Sequence, residues 1–494
     1  MNKYIKSIAF FALGVASIVF TGCEDFLDEK PQSQYSADTF YQGQSDFRFA
    51  IAAVYAQQQN IYNSLGGIFR TAIVRSDDAM RDPHLGYCGN ADKFIDDATS
   101  SEIAGAWSGI YTAIYRANAI IEKIDGVEFT DPKMKDYIKG EALALRAWGY
   151  YTLGTLYGGV PLIDRNITAA ETRTVKRSTQ AETFAFAADD YLKAIDLLPE
   201  EWDDANKGRI TKYAAKAGLA RLYMFQSNFT AAAPQLKDII NSGKYKRAQN
   251  YVDCFSEEFN NGSERVWEIQ FKSGGIGEGN ILSNSFYPEN YADGGKVLIG
   301  ASARVMVSSD LVNAYEEGDL RKNVTIVNNL RVGASYLEEY YCKKWINYAV
   351  EPVDHNDYGV NLPVVRYTDV LLMYAECLNE AGFVADGEAF NIVNDIRSRA
   401  GLAPLGTSVN SQDAFRTALK KERRVEFAFE GLRWFDLVRW GDAMTVMNAF
   451  LKQAENQNGQ YSINSTDRYI YAIPQQEMDN YNDIEVMWQN PGYN

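Results

Sequence analysis

Aromatic residues in polar loops are the first candidates for chemistry in this sequence of 494 residues. Tyr87, Phe286, Tyr287 and Tyr291 lie among Gly, Asn, Asp and Pro residues, where no helical pattern would bury them. A flat ring with polar neighbours suits a sugar, because the C–H groups of a pyranose stack on the ring while its hydroxyls find polar side chains. For any single residue, packing within the loop explains the pattern as well as ligand contact does. The evidence for a binding surface is therefore the set as a whole.

Paired carboxylates could cleave glycosidic bonds by acid–base catalysis. The candidate pairs are adjacent in sequence, and with 65 acidic residues in the chain such adjacency is common. Neighbouring side chains seldom face one substrate, so surface charge is the better interpretation. The pairs are Asp77-Asp78, Glu257-Glu258 and Glu338-Glu339.

Other chemical classes are disfavoured by composition and motif context. The chain has 2 histidines, His84 and His355, and neither has cysteines or carboxylates at metal-ligand spacing, which argues against zinc sites and Ser-His-Asp catalysis. The glycine-rich stretch 275–279 lacks the Lys-Ser/Thr of a phosphate-binding loop. A net charge of −16 would repel a nucleic acid backbone. We therefore expect no metal, cofactor or nucleic acid ligand.

The segment Lys420–Asp442 is dense in both charge and aromatic residues. Its tryptophans could stack on sugars, but a structural role is the stronger interpretation. Three glutamates recur at intervals of four beside arginines, which places them on one helical face, and a glycine suits the helix end. We therefore predict a helix that ends at the glycine, followed by a second short helix, with the aromatic residues of the segment packed inward. The glutamates are Glu422, Glu426 and Glu430, the glycine is Gly431, and the aromatic residues are Phe427, Trp434 and Phe435.

The N-terminus has the three parts of an export signal. Two lysines precede an apolar run, Ile8–Phe20, and small residues stand before Cys23. At 1.5 Å per residue the run covers about 20 Å, short of the roughly 30 Å hydrocarbon core of a membrane. Phe-Thr-Gly-Cys resembles a bacterial lipobox, so we predict a lipoprotein signal peptide over 1–22, lipid attachment at Cys23 and a polar tether over 23–44. An ordinary signal peptide followed by a cysteine is the alternative.

The remaining cysteines are scattered singly, without a C-x-x-C motif or a regular spacing. They do not form a recognisable disulfide framework, and the sequence does not select one pairing. We expect buried hydrophobic roles for Cys88, Cys254, Cys342 and Cys377.

Helical periodicity begins at Ser45, a plausible N-cap residue, and puts four apolar residues on one stripe. Two further helices are predicted over 103–123 and 134–157, and these two would form a hairpin. The stripe residues are Phe49, Ala52, Ala53 and Ala56.

The clearest internal regularity lies at Leu219–Ile240, which fits the tetratricopeptide pattern. Its small residues would let two antiparallel helices approach closely, while its aromatic residues fill the groove beside them. Similar patterns recur over 180–198 and 369–400. We therefore predict a mostly α protein in which three or four helix hairpins stack as a right-handed α-α superhelix, with a generic helical bundle as the alternative. The small residues are Ala220 and Ala232, and the aromatic residues are Tyr223 and Phe229.

Residues 250–365 have a different character, since they are rich in Gly, Asn, Ser and Tyr. Short strands, such as Arg265–Lys272, are the most that the pattern supports. Long irregular segments inside a compact domain are usually functional. We therefore predict one domain over 45–494 that contains an irregular, loop-rich ligand-binding insertion.

Several stretches, in a fixed order along the chain, carry a resemblance to a known family. They are CEDFLDEKP at 23–31, YGGVPLI at 157–163, the alanine-rich hairpin at 213–245, RYTDVLLMYAECLNEAG at 366–382, NDIRSRAGL at 394–402, ERRVEFAFEGLRWFDLVRWG at 422–441, AIPQQEM at 472–478 and QNPGY at 489–493. Each stretch is weak alone, but their order together is highly specific. Nearly end to end, the chain resembles the SusD/RagB family of surface glycan-binding lipoproteins.

The resemblance implies a mostly helical body of tetratricopeptide-like units with an irregular ligand-binding region. It implies capture of oligosaccharides at the cell surface and delivery to a SusC-like TonB-dependent transporter, over which the protein sits as a lid, without catalysis. The acidic residues after Cys23 resemble a surface-export signal of Bacteroidetes-type bacteria, which implies the outer face of the outer membrane. Some relatives serve peptide uptake. A surface lipoprotein that binds peptide or protein on tetratricopeptide units is therefore the alternative function.

Ligand contacts vary within this family and carry no universal motif. In its starch-binding members they come from an early Asp/Arg/aromatic loop and a later Tyr-bearing loop. By position, Asp77, Arg81 and Tyr87 correspond loosely to the first loop, and Tyr287 and Tyr291 to the second. The early loop has no tryptophan in this chain, a departure that weakens the expectation of starch and leaves other glycans open.

Overall fold

The structure, a computed structural model, describes most of the chain from residue 40 onward. The described ranges are 40–63, 68–81, 90–286, 292–293, 296–297, 305–332, 335–346, 349–453, 459–481 and 483–493. The predicted signal peptide, Cys23 and most of the predicted tether lie outside them. Across the described ranges, no helix combines the length and the apolar character that a membrane crossing requires.

Helices make up most of the regular structure and are numbered in chain order. They are α1 Gln44–Asn63, α2 Ile68–Val74, α3 Ser101–Lys123, α4 Pro132–Tyr157, α5 Ala169–Thr172, α6 Gln180–Leu197, α7 Lys212–Phe225, α8 Phe229–Asn241, α9 Ser309–Ala314, α10 Leu320–Thr325, α11 Tyr367–Ala381, α12 Glu388–Arg399, α13 Gln412–Glu426, α14 Arg433–Arg439, α15 Ala443–Leu451 and α16 Gln475–Tyr481.

The strands are short and pair into two-stranded antiparallel sheets. They are β1 Ala79–Arg81, β2 Arg265–Ile269, β3 Ala292–Asp293, β4 Lys296–Val297, β5 Val305–Val307, β6 Ile326–Val327, β7 Leu330–Val332, β8 Ser335–Leu337, β9 Tyr341–Cys342 and β10 Leu362–Arg366.

Successive long helices pack against each other as hairpins, which confirms the predicted mostly α fold. Helix α3 packs on α4, α4 on α6, α7 on α8, and α11 on α12, while α8 also packs on α11 and so joins two hairpins. Close helix approach depends on glycine at the crossings. A Cβ atom on Gly218 would lie 2.6 Å from the hydroxyl of Tyr191, and one on Gly154 would lie 2.5 Å from the ring of Phe184.

The tetratricopeptide-like hairpin forms where the sequence predicts it. Ala220 and Ala232 are fully buried at the contact between α7 and α8. The turn depends on Ser227, which adopts a positive φ of 56°. The side chain of Asn228 accepts a hydrogen bond from the backbone N–H of Ala231 and thereby caps α8.

Helix α1 exists as predicted, but its predicted N-cap and buried face are both wrong. The carboxylate of Asp46, not Ser45, accepts hydrogen bonds from backbone N–H groups before the helix. Phe49 is 69% exposed, so the predicted stripe points to solvent. The opposite face is buried because it carries larger side chains at helical spacing, whose burial gains more than that of alanines. These residues are Phe47, Ile51, Val54 and Ile61.

The insertion at 250–365 contains short strands, as predicted, and also the short helices α9 and α10. Its two ends are joined, because β2 pairs with β10 and places Arg265 opposite Arg366. All five residues of each strand are buried. The insertion is therefore fixed to the helical body at its base.

Cys254, Cys342 and Cys377 are free and buried. Burial raises the pKa of the Cys342 thiol to about 12, which favours the neutral form of a small core residue. The expectation of buried hydrophobic cysteines is confirmed for these three, and Cys88 lies outside the described residues.

Candidate ligand-binding loops

The structure brings the ends of the two predicted ligand loops together. Strand β1 pairs with β5, with Arg81 opposite Val305 and Ala79 opposite Val307. Residues 82–89 follow directly after β1, and the later loop with Tyr287 follows directly after the turn Ser283–Phe286, which contacts β5. Two loops separated by about two hundred residues of sequence therefore start from adjacent points.

The predicted aromatic contacts of these loops, Tyr87, Tyr287 and Tyr291, lie outside the described residues. Arg81 is the last residue of β1, and its backbone is described. These four residues remain predictions as ligand contacts.

Asp77 is a structural residue in the described conformation. Its side chain is 1% exposed, and Arg433 donates two hydrogen bonds to its carboxylate, of 2.8 Å from Nε and 2.9 Å from Nη2. Arg424 adds an ion pair at 2.9 Å. Burial alone would raise the pKa of Asp77, but the hydrogen bonds from Arg433 and the charges of both arginines lower it. The prediction that Asp77 contacts a ligand is not supported, because its carboxylate is already engaged.

Arg424 also connects the elements that carry the loops. Its Nε donates to Asp78 at 2.9 Å and its Nη2 to Asp310 at 3.0 Å. Ser308 completes the connection, because its N–H donates to the carbonyl of Asp78 and its Oγ to the carbonyl of Asp77. We call Asp77, Asp78, Ser308, Arg424 and Arg433 the anchor. It fixes β1 and the start of α9 to α13 and α14.

Phe286 has no exposed surface and packs edge-on against Phe429 with ring centroids 5.6 Å apart. Its prediction as a ligand contact is therefore also not supported, and the loop-packing alternative explains it. Phe429 itself has a positive φ of 61°. Its carbonyl accepts a hydrogen bond from the indole N–H of Trp345 at 3.2 Å, which helps to hold this turn.

Glu422 and Glu426 share a face of α13 as predicted, but the helix ends at Glu426, so Glu430 lies in the turn that follows; all three are buried in ion pairs. Glu426 accepts hydrogen bonds from Arg399 at 2.6 Å, Arg366 at 3.0 Å and Arg321 at 3.1 Å. The charges of these arginines outweigh burial and lower the pKa of Glu426. Glu422 pairs with Arg321 at 2.6 Å. This cluster joins α10, α12 and β10 to α13.

The aromatic residues of the same segment follow the structural interpretation. Trp434 and Phe427 are buried, and Phe435 is partly buried. The half-buried Trp440 donates its indole N–H to Glu376 at 2.9 Å, beside the pair that Glu376 forms with Arg439. Gly431, predicted as the helix C-cap, lies instead in the connection between α13 and α14, where it adopts a positive φ of 73°, because α13 already ends at Glu426 with Phe427 as its C-cap.

Sequence reasoning missed the partners of the anchor. Ser308 lies in a stretch without a motif, and it contacts residues that precede it by more than two hundred positions. No local pattern signals such a contact. The charge density at Lys420–Asp442 was the available signal, since so many arginines close to buried aromatics require carboxylates from elsewhere.

A broad groove of about 580 Å³ lies between α1, the 207–209 loop and β2. Several of its polar groups already have partners. The hydroxyl of Tyr55 donates to Glu141 at 2.7 Å, Arg209 forms two hydrogen bonds to the same carboxylate, and Gln59 donates to the carbonyl of Gln270. These groups of the groove are therefore already engaged within the protein. In the described part of the chain, no three His, Cys, Asp or Glu side chains are placed to hold a metal ion.

Comparisons with known proteins agree with the fold and extend it. One family profile, described as the SusD family, matches residues 328–493, and a second, described as starch-binding and associating with the outer membrane, matches residues 25–224. The chain belongs to the SusD/RagB family. The resemblance seen in the sequence is thereby confirmed.

Individual SusD-like relatives match along most of the chain. A SusD-like protein of Formosa agariphila is 26% identical over 470 residues, which are 86% of this chain and 88% of that protein. The solved structure of surface glycan-binding protein A from Bacteroides fluxus is 25% identical with a TM-score of 0.80, and the match covers 92% of this chain and 100% of that one. A laminarin-binding SusD-like protein is 26% identical with a TM-score of 0.76 over the same shares. The SusD-like fold therefore spans nearly all of the chain.

Proposed function

We propose that this SusD-like protein is a lipoprotein of the outer cell surface that binds an oligosaccharide and delivers it to a TonB-dependent transporter of the SusC type. The observation that carries the proposal is the pairing of β1 with β5, because the early aromatic loop follows β1 and the later one follows the turn Ser283–Phe286, which contacts β5. Family membership supports glycan binding, since SusD-like relatives include a laminarin-binding protein. Binding without catalysis is expected of such a protein.

The proposed contacts are Arg81 and Tyr87 on the early loop, with Tyr287 and Tyr291 on the later loop. Their rings would stack on pyranose faces, and the arginine would donate to hydroxyl groups. A rigid base suits this task, because loops held on a fixed scaffold lose less entropy when a ligand orders them. The ion pairs of the anchor supply that base.

Calorimetric titration of the full-length protein in detergent tests binding. The panel is maltohexaose, laminarihexaose and cellohexaose, with hexa-alanine as the peptide arm. We expect heat from at least one glycan and no release of reducing ends after prolonged incubation. Heat from hexa-alanine alone would favour the peptide-binding alternative, and silence from all four probes would contradict the proposal.

Delivery and anchoring need separate tests. Co-purification after mild detergent extraction should recover a barrel-type transporter, whereas recovery of soluble partners alone would favour a scaffold. A Cys23→Ala variant should lose incorporation of labelled fatty acid and leave the membrane fraction. Unchanged labelling of that variant would overturn lipid attachment at Cys23.

A further inference from the structure

A pocket of about 370 Å³ lies between α3, the segment that follows α4, and α16. Its volume falls within the range of roughly 300–1,000 Å³ that is usual for small-molecule sites. None of its lining residues belongs to the anchor or to the loops that the anchor supports. It is therefore a separate concave site.

One face of α3 presents alternating hydroxyls and rings to this pocket. The residues of α3 that line the pocket recur at intervals of three or four positions and so share a helical face. They include Trp107, Ser108, Tyr111, Thr112 and Tyr115. Tyr115 is 58% exposed. The ring of Tyr111 packs on Trp107 at 5.0 Å, and its hydroxyl donates to the carbonyl of Pro161 at 2.7 Å. One ring is thus fixed in place while the next remains uncovered.

The hydroxyl groups on this face are available as hydrogen-bond acceptors. Thr112 donates its hydroxyl hydrogen to the carbonyl of Ser108 at 2.8 Å, and Ser108 donates to the carbonyl of Gly105 at 3.3 Å. A hydroxyl that has donated its single hydrogen still has lone pairs to accept with. The face therefore favours a ligand with hydrogen-bond donors.

Glu477 adds a carboxylate to the same pocket. The side chain is half-buried, and among the described residues its oxygens have no hydrogen-bond or ion-pair partner. Burial raises its pKa. Across the pocket, Arg165 pairs with Glu171 at 3.0 Å and keeps further N–H groups free to donate. Hydrogen-bond acceptors are therefore more numerous than donors in this pocket, and the negative charge of Glu477 would repel an anionic ligand.

We propose that this pocket is a second carbohydrate-binding site, in which a neutral sugar ring stacks on Tyr115 and donates hydroxyl hydrogens to the α3 face and to Glu477. A sugar ring matches this pocket, because its apolar face can stack on an aromatic ring and the O–H groups around its rim can donate hydrogen bonds. The site extends the proposed function, because it would hold another part of a long glycan, or a second chain, away from the loops.

Hydrogen exchange read by mass spectrometry separates the two sites. The full-length protein in detergent is compared with and without maltohexaose, laminarihexaose or cellohexaose. We expect slower exchange in the pocket segments 105–118 and 475–481 with at least one glycan. Protection of the anchor segments 76–81 and 305–312 alone would overturn the pocket and leave the proposed function standing. Protection of the pocket alone would support it and count against the loops, and protection of neither would overturn both.

Two variants tie the effect to named side chains. Tyr115→Ala and Glu477→Gln should each weaken the pocket-dependent protection, with about tenfold more glycan needed for half protection. Tyr115→Phe keeps the ring and should retain the effect. Phe49→Ala removes a similarly exposed aromatic side chain from α1 and should change nothing. Unaltered protection in Tyr115→Ala, or protection of the pocket by hexa-alanine and by none of the glycans, would overturn the sugar assignment.

Discussion

Arg433 donates two parallel hydrogen bonds, of 2.8 and 2.9 Å, to the carboxylate of Asp77, which precedes it by 356 positions. The pair fixes the residues before β1 to α14. Since the early loop follows β1 and the later loop follows the turn Ser283–Phe286, which contacts the partner strand β5, this contact helps to set where both loops begin.

Replacing Asp77 by Ala should lower the free energy of unfolding by about 3–5 kcal/mol, because Arg433 and Arg424 would lose the charge that compensates their burial. Urea unfolding followed by circular dichroism measures the change. The matched control is Asp189→Ala, which breaks an exposed pair with Lys193. That control should cost less than about 0.5 kcal/mol, and equal losses in both variants would contradict the role of the anchor.

Asp369 should make the fold sensitive to acid. Burial alone would raise its pKa, but the charges of Arg221 and Arg423 lower the pKa to about 2. A lowered pKa stabilises the fold above the unfolded-state value near 4, and this contribution is lost as the pH falls towards 2. Between pH 4 and 2, the stability advantage of the wild type over Asp369→Asn should shrink by roughly 2 kcal/mol. Parallel unfolding free energies for the two proteins across this range would contradict the assignment.

Trp434→Ala should destabilise the protein by roughly 3–5 kcal/mol, because it removes a buried ring and leaves a cavity. The indole packs on Phe94 at 5.3 Å and on Tyr469 at 5.9 Å. Thermal unfolding measures the effect, with Phe49→Ala as an exposed aromatic control that should stay within about 0.5 kcal/mol. If Trp434→Ala were also neutral, the ring would not be part of the core.

Gly159→Ala tests the tight contact within the YGGVPLI stretch. A Cβ atom at this position would overlap the backbone carbonyl of Ser178, which cannot move without disrupting the bridge that joins the two segments. We expect a loss of at least about 3 kcal/mol or failure to fold. The control is Gly105→Ala in α3, where a Cβ atom meets nothing within 4 Å and the variant should gain about 0.5–1 kcal/mol of helix stability. Similar stabilities for the two variants would contradict the predicted overlap.

Tyr287→Ala and Tyr291→Ala should each weaken glycan binding by about 1–3 kcal/mol, because each removes a stacking ring. Tyr287→Phe and Tyr291→Phe keep the ring and should retain most of the affinity, which distinguishes stacking from hydroxyl contacts. Titration with the glycan that binds the wild type measures all four. Unchanged affinity in both alanine variants would mean that the later loop is not the site.

The helical body could be predicted from sequence because its signals are local. The hairpin of α7 and α8 follows from small residues, turn residues and aromatics that lie within one stretch of chain. The face of α1 could not be predicted, because apolar residues occur on both sides and only the packed neighbours decide which side is buried. Phe49 therefore lies in solvent while Phe47 lies in the core.

The candidate site shows the same division. Residue type and loop context identified Tyr287 and Tyr291 as candidates, yet the same reasoning also selected Asp77 and Phe286, which are buried. Whether a carboxylate faces solvent or an arginine depends on residues hundreds of positions away, such as Arg433. The local sequence pattern shows that such arginines need carboxylate partners, but it does not identify which carboxylates they are.

Contacts between the N-terminal and C-terminal parts of the chain also determine when the core of the fold can be completed. Three hydrogen bonds join these parts. Arg433 donates to Asp77, the side chain of Arg75 donates to the carbonyl of Arg468, and the hydroxyl of Tyr493 donates to Asp96. Contacts between residues so far apart in sequence form late, and they lower the rate of folding. A chain made from its N-terminus cannot complete this core until its last residues have been synthesised. In a chain exported by the predicted N-terminal signal, that delay would keep the chain unfolded during the interval in which it must be handed to the export machinery.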